Sequence, residues 1–115
     1  MMIIELTRFR VKEGKEHRVD EWLEFLNEYM EDVLLTLEDE KMYVENIFRE
    51  TVDSVDYLYW YSIEGEGGQD VENSEHWVDQ KHLKYWKECI DESYEPVDLV
   101  LEVTMIPKRI RENLF

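Results

Sequence analysis

The chain has 115 residues, enough for one compact domain with a single core and too few for two. Hydrophobic residues make up 43% and aromatics 13%, well above what a disordered acidic chain carries, so the chain is expected to fold. With 13 Lys and Arg against 29 Asp and Glu, the net charge of -16 repels phosphate backbones and anionic lipid, so neither nucleic acid nor a membrane surface is expected as a partner.

The single cysteine, Cys89, has no partner for an internal disulfide, and MMIIELTRFR has neither the basic start nor the long apolar run of a signal peptide. A reduced, cytoplasmic protein is expected. No apolar stretch approaches the roughly 18 residues that span a bilayer.

In chain order, IIELTRFRV (3–11) is rich in β-branched and aromatic residues and ends at the turn KEGK, which predicts a first strand. From Lys15 to Leu37 the apolar residues recur at helical spacing. Val19, Leu26, Met30, Val33 and Leu37 share one face, and Glu21, Glu24, Glu28 and Glu31 look outward, so one long helix is predicted. EKMYVENIFRE (40–50) and VDYLYWYSIE (55–64) read as strands joined by TVDS in an antiparallel hairpin. GEGGQDVENS is a connector. Asn73 or Ser74 can cap a second helix running to about Asp91, with Glu75 in its first turn. VDLVLEVTMI (97–106) is the last strand, stopped by Pro107, with Leu99, Leu101, Val103 and Met105 suited to the helix side. The tail KRIRENLF (108–115) reads as a short helix or an arm outside the 1–107 domain.

Strand, helix, strand, strand, helix, strand predicts an α+β, ferredoxin-like βαββαβ domain: a four-stranded antiparallel sheet with both helices on one face. The second sheet face must then be wet or meet a partner. Tyr43, Ile47, Tyr57, Tyr59 and Tyr61 alternate with Met42, Val44, Phe48, Leu58 and Trp60, so both faces of the hairpin are bulky. A homodimer packing sheet against sheet is the symmetric solution.

TRFRVKEGK near the start, a hairpin ending YWYSIEG, the helical pattern DxxHxxYW and a last strand ending at IP resemble the dimeric α/β-barrel superfamily over roughly residues 2 to 107. Within it the chain looks like a member of an uncharacterised family of small proteins. More distantly it is similar to the rhamnose mutarotases and the antibiotic-biosynthesis-type monooxygenases. The resemblance implies two sheets closing into a barrel across a dimer axis, with a ligand pocket between sheet and helices. It also implies isomerase-, mutarotase- or monooxygenase-like chemistry without metal or flavin. Tyr43 has a counterpart in the mutarotases, whereas the histidine in the middle of their first helix is replaced here by Leu26 or Asn27.

SEHWVDQKHLKYWK (74–87) holds two of the three histidines and two of the four tryptophans. Helical geometry separates His76 from His82 by about 120° and some 9 Å, too far to share one metal ion, so no metal site is expected. Asp79 and His82 are three apart and fall inside the apolar arc with Trp86. Two readings stay open: a catalytic acid/base pair in which Asp79 orients His82 and raises its pKa, or a buried polar pair that satisfies itself. Arg8, Tyr43, Glu45 and Glu102 are polar or amphipathic mid-strand residues suited to orienting a ligand, with Trp60, Tyr61 and Trp86 as walls. For Arg8 an ion pair with a glutamate is the alternative. GEGG lacks the lysine and hydroxyl of a phosphate loop and reads as a connector or lid. Cys89 reads as core, and His17 as solvated. The functional expectation is thus a homodimer whose inter-sheet pocket binds a small, uncharged or cationic organic molecule and acts on it without a cofactor, by acid/base chemistry centred on His82 and Asp79. The competing expectation is a non-enzymatic dimeric scaffold or protein-interaction module with a filled barrel.

Overall fold

A computed structural model of the chain describes residues 2–114. The elements are β1 (Met2–Arg10), α1 (Glu16–Glu28), α2 (Met30–Asp39), β2 (Met42–Val52), β3 (Val55–Gly65), α3 (Trp77–Cys89), β4 (Val97–Asp98) and the short α4 (Lys108–Glu112). All pairings are antiparallel, in the order β2-β3-β1-β4 of a ferredoxin-like sheet.

The hairpin is tighter than TVDS suggested. Val52 pairs with Val55, and only Asp53 and Ser54 form the turn, both left-handed at φ 50 and 67. That is the twist two-residue hairpins require, and Asp tolerates it better than a β-branched residue would.

Strand alternation sorts the side chains. Phe9 opposes Leu58, Thr7 opposes Trp60, and Ile47 opposes Trp60 from the other side, so these residues share the face the helices cover. Leu58 on β3 and Val19 and Trp22 on α1 are fully buried there, joined by Phe25, Val78, Tyr85 and Cys89. Trp22 is the hub: its ring packs against Trp60, Trp86, Tyr85 and His82. Truncating such a residue to alanine costs about 3–5 kcal/mol. The opposite face carries Leu6, Arg8, Phe48, Tyr57, Tyr59 and Tyr61, and among the described residues no helix covers it.

Four expectations need correction. The long first helix is broken at Tyr29 (φ -103, ψ 35), whose ring turns aside onto Phe25 and Trp77. Phe25, absent from the predicted face, is buried, whereas Met30 is 39% exposed. Helix α3 starts later than Ser74. Its cap is His76, whose Nδ1 accepts the Val78 N–H at 3.2 Å, which puts Asp79 rather than Glu75 in the first turn. The last strand pairs only at Val97 and Asp98, followed by one bond from Leu99 N–H to the Leu6 carbonyl. Beyond it the chain leaves the sheet, so Leu101, Val103 and Met105 are exposed rather than turned to the helices, Met105 by 87%.

Candidate functional site

The break at Tyr29 matters for the site. Beyond it α2 runs alongside β2 and α3, with Thr36 its one buried residue. A cavity of about 570 Å³ lies between them. Leu26, Met30, Val33 and Leu37 form its helical wall, Ile47 and Trp60 its sheet wall, and Val78 comes from α3. Its polar lining includes Glu40, Tyr43, Glu45, Asp79 and His82, drawn from the end of α2, from β2 and from α3.

His82 is held by the core. Trp22 Nε1–H donates to its Nδ1 at 2.9 Å. With Nδ1 accepting, the neutral ring carries its proton on Nε2. Burial lowers the imidazole pKa to about 4, and the opposing charge of Asp79 does not reverse this. The expectation that Asp79 would orient His82 is therefore corrected, and although its charge does act to raise the imidazole pKa, the net shift is downward. Among the described residues no hydrogen bond joins the two, Trp22 does the orienting, and desolvation outweighs the charge.

Asp79 is 6% exposed, and its Oδ2 has no hydrogen-bond partner among the described residues. Its place in the first turn of α3 gives it a favourable helix dipole. Glu45 accepts a bond from Trp60 Nε1–H, yet burial raises its pKa, with Asp79 and Glu64 adding repulsion. Glu40 is pushed up to about 8 by burial, then by the nearby charges of Asp79, Glu45, Glu64 and Asp39.

The glycine-rich connector helps fix Glu40. Gly65 N–H bonds the Lys41 carbonyl at 2.8 Å and Gln69 N–H the Asp39 carbonyl at 2.9 Å. A side chain at Gly68 would collide with the Glu40 carbonyl, and one at Gly65 with the Tyr43 hydroxyl. The connector thus lies against the turn carrying Glu40, and Val71 beyond it reaches the cavity wall.

Of the residues singled out in the sequence, Tyr43, Glu45, Trp60, Asp79 and His82 meet at the cavity. Four do not. Tyr61 neighbours Trp60 on one strand, so it faces the open side of the sheet, where it lines a shallow hollow with Leu6, Asn46, Phe48 and Tyr59. Arg8 is on that side too, donating to the Tyr94 hydroxyl at 2.9 Å rather than pairing with a glutamate. Trp86 packs behind the cavity against Phe9, with ring centroids 4.6 Å apart. Glu102 is exposed on the segment that leaves the sheet. Among the described residues no group of three or more His, Cys, Asp or Glu is arranged to hold a metal ion.

The residue missed in the sequence is Glu40. One signal was available: Glu38, Asp39 and Glu40 stand at the C-terminal end of a helix, where its dipole disfavours carboxylates.

A family model described as a family of unknown function, DUF6176, matches residues 2–112. Among solved structures, an L-rhamnose mutarotase from Formosa agariphila superimposes with a TM-score of 0.53 at 16% identity, over 92% of this chain and 99% of that one. At that identity the likeness is one of fold. No curated protein is significantly similar.

Proposed function

The chain belongs to the DUF6176 family, and from the geometry of its cavity we propose that it binds a small organic molecule between sheet and helices and exchanges a proton with it without a cofactor. One observation carries the reading: an imidazole anchored by Trp22 and a buried, unpartnered carboxylate border the same cavity of about 570 Å³. Asp79 accepts a hydrogen bond from the ligand, and His82, neutral at physiological pH, donates its Nε2–H to a ligand oxygen or nitrogen. Glu40, with a pKa of about 8, takes and returns the proton near neutrality.

A thermal-shift survey of small organic molecules, with Leu26→Trp as the cavity-filled comparison, tests the site. Hits should raise Tm by several degrees in the wild type and lose that effect in L26W. If L26W responds like the wild type, the ligand binds elsewhere. His82→Ala should lose binding or turnover while the fold persists; a matching collapse of stability would reduce His82 to a core residue.

The uncovered sheet face supports a homodimer formed through it. Phe48, on the edge strand β2, is 59% exposed on that face, and the apolar segment after β4 at the other edge exposes Val100 by 80%. Sedimentation at micromolar concentration should give a dimer. A compact monomer would rule this assembly out.

A further inference from the structure

Resting on the cavity reading above, the geometry points to an organic cation as the ligand: a protonated amine on an apolar body, its ammonium group bound at Asp79. Asp79 lines the cavity, and its buried Oδ2 has no hydrogen-bond partner among the described residues. A buried carboxylate oxygen without a donor is costly, so such a position calls for a ligand that brings both donors and positive charge.

The protein does not supply that charge itself. Glu40, Glu45 and Asp79 border the cavity, and no lysine or arginine is among its lining residues. Lys41, next to Glu40 in the chain, is exposed and does not line the cavity, and Lys81 on α3 lies over the Phe25 ring. His82, held neutral by burial, offers no repulsion to an incoming ammonium.

Size and shape separate an organic cation from a metal ion. The acidic side chains are spread around a large cavity, and no three metal-capable groups converge among the described residues. The remaining wall is aliphatic, with Leu26, Met30, Val33 and Ile47, and Trp60 beside it. An amine with a hydrocarbon body matches both parts, whereas an anionic ligand would meet three carboxyl groups. The net charge of -16 further favours the approach of cations.

The test measures tryptophan fluorescence of the full chain at neutral pH, titrated with phenethylammonium and hexylammonium and with their neutral counterparts, phenethyl alcohol and hexanol. The ammonium ions should bind at least about tenfold more tightly than the alcohols. In Asp79→Asn that preference should fall to near unity, with near-UV circular dichroism confirming the fold. Should D79N fail to fold, Glu40→Gln serves as the second variant: titrated at about pH 9, where Glu40 of the wild type is ionised and both amines stay protonated, it should reduce the preference for the ammonium ions. Equal or tighter binding of the alcohols overturns the cation assignment and leaves the cavity as a binding site. Absence of binding by both classes overturns the assignment and, with an L26W variant indistinguishable from wild type in the thermal-shift survey, the cavity reading as well.

Discussion

Glu40→Gln isolates the electrostatic cost of crowding carboxyls around the cavity. The folded chain holds Glu40 at a pKa of about 8, against an ordinary 4.5. Between these values the unfolded chain has released the proton and the folded chain retains it, so stability is fully present below about pH 4.5 and is lost as pH rises through about 8. At about 1.36 kcal/mol per pH unit the displacement corresponds to about 5 kcal/mol. Glu40 keeps part of its surface in water, however, and solvent screening reduces this to about 1–2 kcal/mol. Urea unfolding of the wild type and E40Q at about pH 5, 7 and 9 reads the effect directly. The two should nearly coincide at the acid end, and E40Q should be the more stable by about 1–2 kcal/mol at the alkaline end, with an unchanged m-value. A shallower slope should survive in E40Q, because burial also raises Glu45 and Glu64. A difference between the two proteins that is constant across this range would refute the placement of Glu40 in a shared acidic cluster.

His82 imposes the opposite slope. Its folded pKa of about 4 lies below the ordinary 6.5, so its contribution is present above about pH 6.5 and is lost as pH falls through about 4. His82→Gln removes that titration, and between about pH 6.5 and 4 the wild type should lose about 2–3 kcal/mol relative to the variant; parallel acid unfolding curves would contradict the burial of the ring. Trp22→Phe keeps most of the aromatic packing but deletes the donor to His82 Nδ1, a bond of 2.9 Å. It should cost about 1–3 kcal/mol. Because that bond favours the neutral ring, the His82 pKa should also rise in a proton NMR titration, and a static pKa would assign the orienting role elsewhere.

The fold was legible because its elements announce themselves locally. The run IIELTRFRV, the hairpin strands and the spacing of Asp79, His82 and Trp86 are periodic patterns that need no knowledge of the rest of the chain. What those patterns do not carry is where an element stops obeying its own period. The spacing from Val19 to Leu37 suits one continuous helix, and nothing local forbids it at Tyr29. The break comes from tertiary packing of that ring on Phe25 and Trp77. Likewise VDLVLEVTMI has strand composition throughout, yet composition does not say which edge it pairs with, and within one chain β1 accepts it only as far as Leu99. The segment's strand-like composition continues past the point where pairing stops, which is why its pattern misled about the helix side.

The site was legible in proportion to how many of its residues shared one element. Asp79 and His82 sit one helical turn apart, so their common face could be worked out by angle alone. Trp60 and Tyr61 show the limit of the same reasoning. Adjacent residues on a strand cannot both line one cavity, but with bulky residues on both faces the sequence does not say which is which. The burial of Leu58 decides it, because that residue fixes the helix-facing side of β3 and carries Trp60 inward with it. Glu40 lay further from reach, since its role depends on three separate events: the helix break at Tyr29, the end of α2 at Asp39, and the close approach of Gly68 to its carbonyl. The residue whose titration most directly reports the cavity is thus the one whose placement is least local. An acidic residue at a helix C-terminus, where the dipole works against it, is a signal that tertiary structure is holding a carboxyl there at a cost.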